Sequence, residues 1–318
     1  MIWKEKARFL ITVVGIGFTL LLILFLLGIH EGAKNGATAY ILNSPADIWI
    51  CQNNSNNLLR SSSFLHSSLE REVQQVHGVH SVSGILRLIT TGKVKDRPVT
   101  IFLIGFDPAS NLGAPASLVQ GTAAIRSSEI ILDKAFASKH NLTLGDSLQI
   151  QGRNFRLSGI SEGTNAILAQ FAFITLEDAQ RLLRLPSLIS FCLLTTTSNQ
   201  DHRALVESLK RRFPSLAVFS KKVFVENQLE EMEAGVLPVL WTIALFGISS
   251  GAAVMTLMLY SSVLEKREDY ALLKAVGGTQ NFVVALVLKQ SLLGATAGYA
   301  FGLMLNFICV PILTRLVP

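Results

Sequence analysis

The residues best suited to a specific interaction lie in Glu265–Gln280, EKREDYALLKAVGGTQ, and the chemistry they offer is docking. Leu272, Leu273 and Val276 fall on one side of a short helix at i, i+1 and i+4, beside Arg267, Glu268, Lys274 and Ala275. Asp269 is expected to cap the first turn, and Gly277 with Gly278 to close the helix, because glycine takes the left-handed conformation at little cost. A plain linker needs polarity but no apolar helical face with defined ends. Two uses of that face stay open: docking on a partner, or lying on a lipid interface as an amphipathic helix.

Residues for covalent or metal chemistry are not gathered in the same way. His77 and His80 stand at i, i+3 around Gly78, without a carboxylate or Cys at ligand spacing, as expected of solvated turn histidines. No G-x-S-x-G elbow occurs, and no G-x-x-x-x-G-K-[ST] phosphate loop. The chain is therefore expected to be no enzyme, to carry no cofactor or metal, and to draw energy, where it needs any, from another subunit. Cys51, Cys192 and Cys309 have no metal-ligand spacing, and a Cys51–Cys192 disulfide stays open, since separation in sequence does not fix contact.

The docking stretch lies between long apolar runs. Of 318 residues 50% are hydrophobic, and mean hydropathy is +0.44. Phe9–Ile29, Ala234–Leu264 and Gln290–Thr314 carry no charge, and roughly 20 such residues cross a bilayer core. The first run exceeds a signal-peptide core and lacks a small-x-small cleavage site at Gly28–Glu31. Lys4, Lys6 and Arg8 before it, and Lys266, Arg267 and Lys274 in the docking stretch, place both on the cytoplasmic side. The middle of the chain is then outside. The net charge of +6 is scattered, with no basic run interleaved with aromatics, so nucleic acid is not expected as a partner.

The middle alternates strand and helix signals. Ala46–Cys51 reads as a strand alternating Ile48 and Ile50 against Asp47 and Trp49, and Gln52–Ser63 as a loop. Leu65–Val76 reads as a helix with Leu65, Leu69, Val73 and Val76 on one face. Strands are expected at 79–90, 99–106, 129–132, 147–151, 154–161, 171–175, 188–196 and 216–219, and helices at 133–140, 176–183 and 201–213. The recurring order hints that one lobe is assembled from both ends of the domain. Lys222–Glu233 reads as an amphipathic helix running directly into the second span as a stalk, with Pro238 as a site for a kink. In the third span Gly294, Gly298 and Gly302 line one face at i, i+4, i+8. They allow close approach of another helix, in this chain or in a second copy.

Two sets of residues carry a resemblance. Arg267-Glu268-x-x-Ala271-Leu272-Leu273-Lys274-Ala275-Val276-Gly277 resembles the cytoplasmic loop of the MacB/FtsX-like permeases of ABC transporters, most closely their DevC-like exporter branch. The order Ile130-Ile131-Leu132-Asp133-Lys134-x-x-Ala137, Leu144-Gly145-Asp146-Ser147, then Arg156-Leu157-x-Gly159-Ile160-x-Glu162-Gly163-Thr164 is similar to their exported domain. The resemblance implies an α-helical membrane protein of the bacterial inner membrane with a large inserted extracytoplasmic α+β domain of two lobes. Its parts are a first transmembrane helix (1–29), the domain (30–223, inner block about 107–186), a stalk and second span (224–264), a coupling loop (265–280) and a third span (281–318). The family usually has a fourth span, and three are expected here.

It further implies a permease subunit of an exporter that couples hydrolysis by a partner ABC ATPase to movement of the outer domain. Homodimerisation, and contact with a periplasmic adaptor and an outer-membrane duct, are the other partners it implies. The alternative is an FtsX-like signalling protein that activates a cell-wall hydrolase.

Overall fold

The long apolar runs and the alternating middle separate in space as they do in sequence. A computed structural model describes residues 2–95, 97–166, 169–197, 202–277 and 279–316. It divides into two units, Met1–Glu31 with Gly235–Pro318, and Gly32–Ala234.

In chain order the elements begin with α1 (Ile2–Asn43), β1 (Ile48–Gln52), β2 (Leu65–His66), α2 (Ser68–Gln74), β3 (Val79–Val94) and β4 (Arg97–Phe106). There follow β5 (Leu118–Gly121), β6 (Glu129–Asp133), α3 (Lys134–Lys139), β7 (Ser147–Ile150), β8 (Arg153–Ser161), β9 (Asn165–Ala166) and β10 (Ala169–Thr175). The last are α4 (Leu176–Leu183), β11 (Leu188–Ile189), β12 (Phe191–Thr196), α5 (His202–Arg212), β13 (Leu216–Ser220), α6 (Lys221–Glu265), α7 (Arg267–Ala275) and α8 (Gln280–Leu316).

In the unit of apolar helices, three stretches among the described residues are long and apolar enough to cross a membrane: Phe9–Asn43, Leu237–Glu265 and Gln280–Val310. The helix begun in the first run does not stop at Ile29 but continues to Asn43. α6 is one helix of 45 residues with Pro238 inside it, about 68 Å long at ~1.5 Å per residue.

The mixed unit is built on one sheet, in the order β13-β1-β12-β3-β4-β10-β6-β8-β5, with β7 pairing β3 and β8 and β9 pairing β10; β2 and β11 form a separate pair. Strands from the two ends of the unit, β1, β12 and β13, lie side by side at one end of the sheet. Alternation in β1 had predicted one buried face. Instead Ile48, Trp49, Ile50 and Cys51 are all buried, because helices cover both sides. Ile48 and Ile50 pack with Leu69 and Val73 of α2 and Leu205 and Leu209 of α5. Trp49 and Cys51 pack on the opposite face with Tyr40 of α1 and Phe224 of α6. Trp49 stacks on Phe224 with ring centroids 4.8 Å apart, and Tyr40 stacks on Phe171 at 5.5 Å while its hydroxyl donates to the Gly113 carbonyl at 2.8 Å. At the other end α3, α4 and the β3–β4–β10–β6–β8 strands enclose a further cluster around Phe136, Phe155 and Ile174.

Local signals act as their chemistry requires. Asp133 caps α3, its carboxylate accepting the Ala135 N–H at 2.8 Å. In the turn before β7, Gly145 takes φ +95°, and Asp146 accepts the Thr143 N–H and hydroxyl at 2.8 and 3.1 Å, which holds its carboxyl below the usual range. The helix expected over 65–76 is shorter, Ser68–Gln74, with Leu65 in β2, yet all four apolar residues of its face are buried. The open disulfide is settled by register. Cys192 pairs with Ile50 and shares its face, Cys51 turns to the other, and both are free thiols. Burial raises the Cys51 thiol to about 12 and pushes Cys192 up as well.

Candidate functional site

The stretch 265–280 contains a nine-residue helix, α7, separated from α6 by Lys266 alone. Its charges follow the helix dipole, Glu268 and Asp269 in the first turn and Lys274 in the last. Asp269 was expected at the cap. The helix starts earlier, with Lys266 in the cap position and no side-chain cap bond. Asp269 is thereby the third helical residue, where a carboxylate still favours the positive helix end. The far end closes with Gly277 at φ +100°, its N–H donating to the Lys274 carbonyl at 3.1 Å. Gly278, the other expected stop, lies outside the described residues.

Of this helix only Tyr270 is buried. Leu272 is 72% exposed and Val276 84%, while Leu273 is 37% exposed. Arg267, Glu268, Lys274 and Ala275 are exposed as well. The structure thus sets an apolar surface of Leu272, Leu273 and Val276 among charged neighbours on a helix with a defined end. Sequence reasoning missed Tyr270, whose only signal was a large aromatic at i−3 from Leu273.

The glycines of α8 meet α1. A Cβ on Gly298 would lie 2.7 Å from Ile16 Cβ, and one on Gly302 would lie 2.9 Å from both the Gly17 carbonyl oxygen and Leu20 Cδ2. Gly294 is less crowded, its nearest neighbour being Thr12 Cγ2 at 3.7 Å. On α6, Gly251 approaches Thr19 of α1 at 2.9 Å, a contact the sequence did not reveal. The first apolar helix therefore packs on both others within this chain.

A large mixed α+β unit inserted after a first apolar helix, and two further apolar helices joined by a short exposed one, define a membrane permease class. Comparison with known proteins resolves the class further. The family model for the MacB-like periplasmic core domain matches residues 9–212, and that for the FtsX-like permease C-terminal region matches residues 241–317. The chain belongs to the MacB/FtsX-like family of ABC transporter permeases.

It is 24% identical over 315 residues to a protein of Staphylococcus haemolyticus named as a hemin transport system permease, HrtB, covering 96% of this chain and 84% of that one. It is 23% identical over 331 residues to an uncharacterized ABC transporter permease of Mycobacterium tuberculosis H37Rv, covering 100% and 86%. The periplasmic region of MacB from Actinobacillus actinomycetemcomitans aligns with TM-score 0.45 and 15% identity, over 58% of this chain and 94% of that one.

Proposed function

We propose that this chain is the membrane subunit of an ABC exporter, in which closure of a partner ATPase pushes α7 and α6 transmits the movement to the α+β domain outside the membrane. The observation that carries this reading is continuity: one helix runs from Lys221, directly after β13, to Glu265, and α7 follows after a single residue with Leu272 and Val276 exposed. A helix transmits displacement along its axis because its hydrogen bonds lie parallel to that axis. The absence of a phosphate loop in the sequence assigns hydrolysis to another subunit.

The same reading takes the bilayer of the bacterial inner membrane as the setting, with residues 1–29, 224–264 and 281–318 as spans and stalk, 265–280 as the cytoplasmic coupling loop and 30–223 as the outer domain. Division of that domain into two lobes is supported by its separate clusters, one about α3 and α4 and another about α2 and α5. A homodimer, and an adaptor with an outer duct, complete the proposed assembly.

The test is co-purification, in mild detergent, with the candidate ATPase subunit. Wild type is expected to retain the ATPase, while Leu273→Asp and Lys274→Glu each lower the bound fraction at least about tenfold, the order of effect of losing an interface anchor. Both variants are expected to keep the near-ultraviolet circular dichroism of the buried Trp49. Retention of the ATPase by both variants would overturn the assignment of the loop.

A further inference from the structure

β13 ends the sheet: it pairs with β1 on one side and with no strand on the other. In an antiparallel ladder successive residues point their N–H and C=O groups to opposite sides. The Lys221 N–H donates to the Asp47 carbonyl at 2.7 Å, so residues 221, 219 and 217 face β1. Val218, between them, turns its backbone groups to the open edge. Such an edge is a template for pairing with another strand unless something covers it.

A groove of about 860 Å³ lies along this edge. Its lining includes Val218, whose side chain belongs to the face covered by α5, and Phe219, whose side chain packs against the opposite cluster with Phe224 of α6. A groove reached from both faces of one strand lies at that strand's edge, with α5 on one side and the start of α6 on the other. Its walls are apolar through Val206, Val223 and Val225.

The rim is basic. Arg203, Lys210, Lys221 and Lys222 line it with His202, against the carboxylates Asp47 and Glu226. Asp47 is already committed, accepting the Thr196 N–H at 2.8 Å and its hydroxyl at 3.0 Å. Lys221 donates to the Ser44 carbonyl at 2.6 Å, and Lys222 lies 3.9 Å from Glu226 with its side chain largely in solvent. The positive balance selects an acidic occupant and repels a second basic strand of the same kind.

We propose that the β13 edge is a docking site for a partner protein that adds an extended acidic strand, its backbone pairing with Val218 and its side chains alternating between the α5 and α6 walls. Main-chain hydrogen bonds supply the register in such strand addition, and alternate pockets supply the selectivity. Five residues, the length of β13, span about 17 Å. The site is remote in sequence from α7 and does not depend on the ATPase assignment.

The test uses the full chain in detergent and two dye-labelled nine-residue peptides, one alternating valine with glutamate, the other valine with lysine. Anisotropy reads binding, and amide hydrogen exchange reads protection. The acidic peptide is expected to bind and to slow exchange in residues 216–220 by about tenfold or more, and the lysine peptide to do neither. The double variant Lys210→Glu/Lys222→Glu, both exposed, is expected to weaken binding about tenfold while exchange in β12 stays as in wild type.

Absence of acidic-peptide binding, binding without protection of 216–220, or equal binding of both peptides would overturn the proposal. So would protection that appears without peptide and grows with protein concentration, which assigns the edge to a second copy. Protection by added phosphatidylglycerol but not by peptide would assign it to anionic lipid and equally refute a protein strand.

Discussion

Glu70 on α2 points its Oε1 at the Gly84 N–H, 2.9 Å away, and no cation pairs with it among the described residues. Burial raises its pKa, the Gly84 bond opposes the shift, and the Asp107 carboxylate adds to it. The folded state then binds this proton more tightly than the unfolded chain. Its contribution to stability is fully present below the unfolded value and is lost as pH rises through the folded one. Glu70→Gln keeps an acceptor for Gly84 without the charge. It is expected to melt about 1–3 °C above wild type at pH 7, with the difference vanishing below about pH 4, as followed by circular dichroism. An equal difference at both pH values would show that charge is not the cause. A single sequence contains Glu70 but not its exposure, which depends on β3 passing beneath α2. The cysteines carry the same lesson: only the pairing of Ile50 with Cys192 tells which face each thiol takes.

Among elements, α8 and α1 meet where side chains are missing. Gly298→Leu must displace Ile16 or separate the backbones, since even a Cβ would sit 2.7 Å from Ile16 Cβ. A loss of about 1–3 kcal/mol is expected, seen as a lower melting temperature in detergent, whereas Gly294→Leu, with 3.7 Å of room, is expected to change little. Equal effects at both sites would contradict this packing. The glycine spacing was legible because four residues return a helix to one face. The partner was not, since a stripe of small residues states that something approaches without stating what. α7 divides in the same way: its end was legible from Gly277, and its start was not, because Asp269 is compatible with both the cap and the first turn.

At the scale of the molecule, Gly32–Ala234 holds the three buried clusters of the sheet, from Tyr40 to Phe224. Expressed without the apolar helices it is expected to melt in one cooperative transition with a near-ultraviolet signal from Trp49. A shorter piece, residues 46–212, lacks Tyr40, β13 and Phe224 and is expected to lose at least about 3 kcal/mol, the cost of deleting a buried aromatic residue. Similar melting of the two pieces would refute the role given to the helix ends. Strand and helix positions were mostly legible, because period and turn residues are local. Sheet order was not: β10 enters between β4 and β6, parallel to one and antiparallel to the other. The two-residue strands β9 and β11 were too short for their own signal, and β5 carries three exposed positions out of four.

The placement of Cys51 and Cys192 on opposite faces bears on how the protein is made. On the proposed topology the domain matures in a compartment where thiols are readily oxidised, yet each sulfur is sealed in its own hydrophobic cluster. Its biosynthesis owes nothing to dithiol oxidases or isomerases, and no mispaired cross-link forms once the sheet has closed. Swings in the redox state of the surroundings leave the finished domain unchanged, so the same sequence can be matured in hosts that differ widely in oxidative folding machinery.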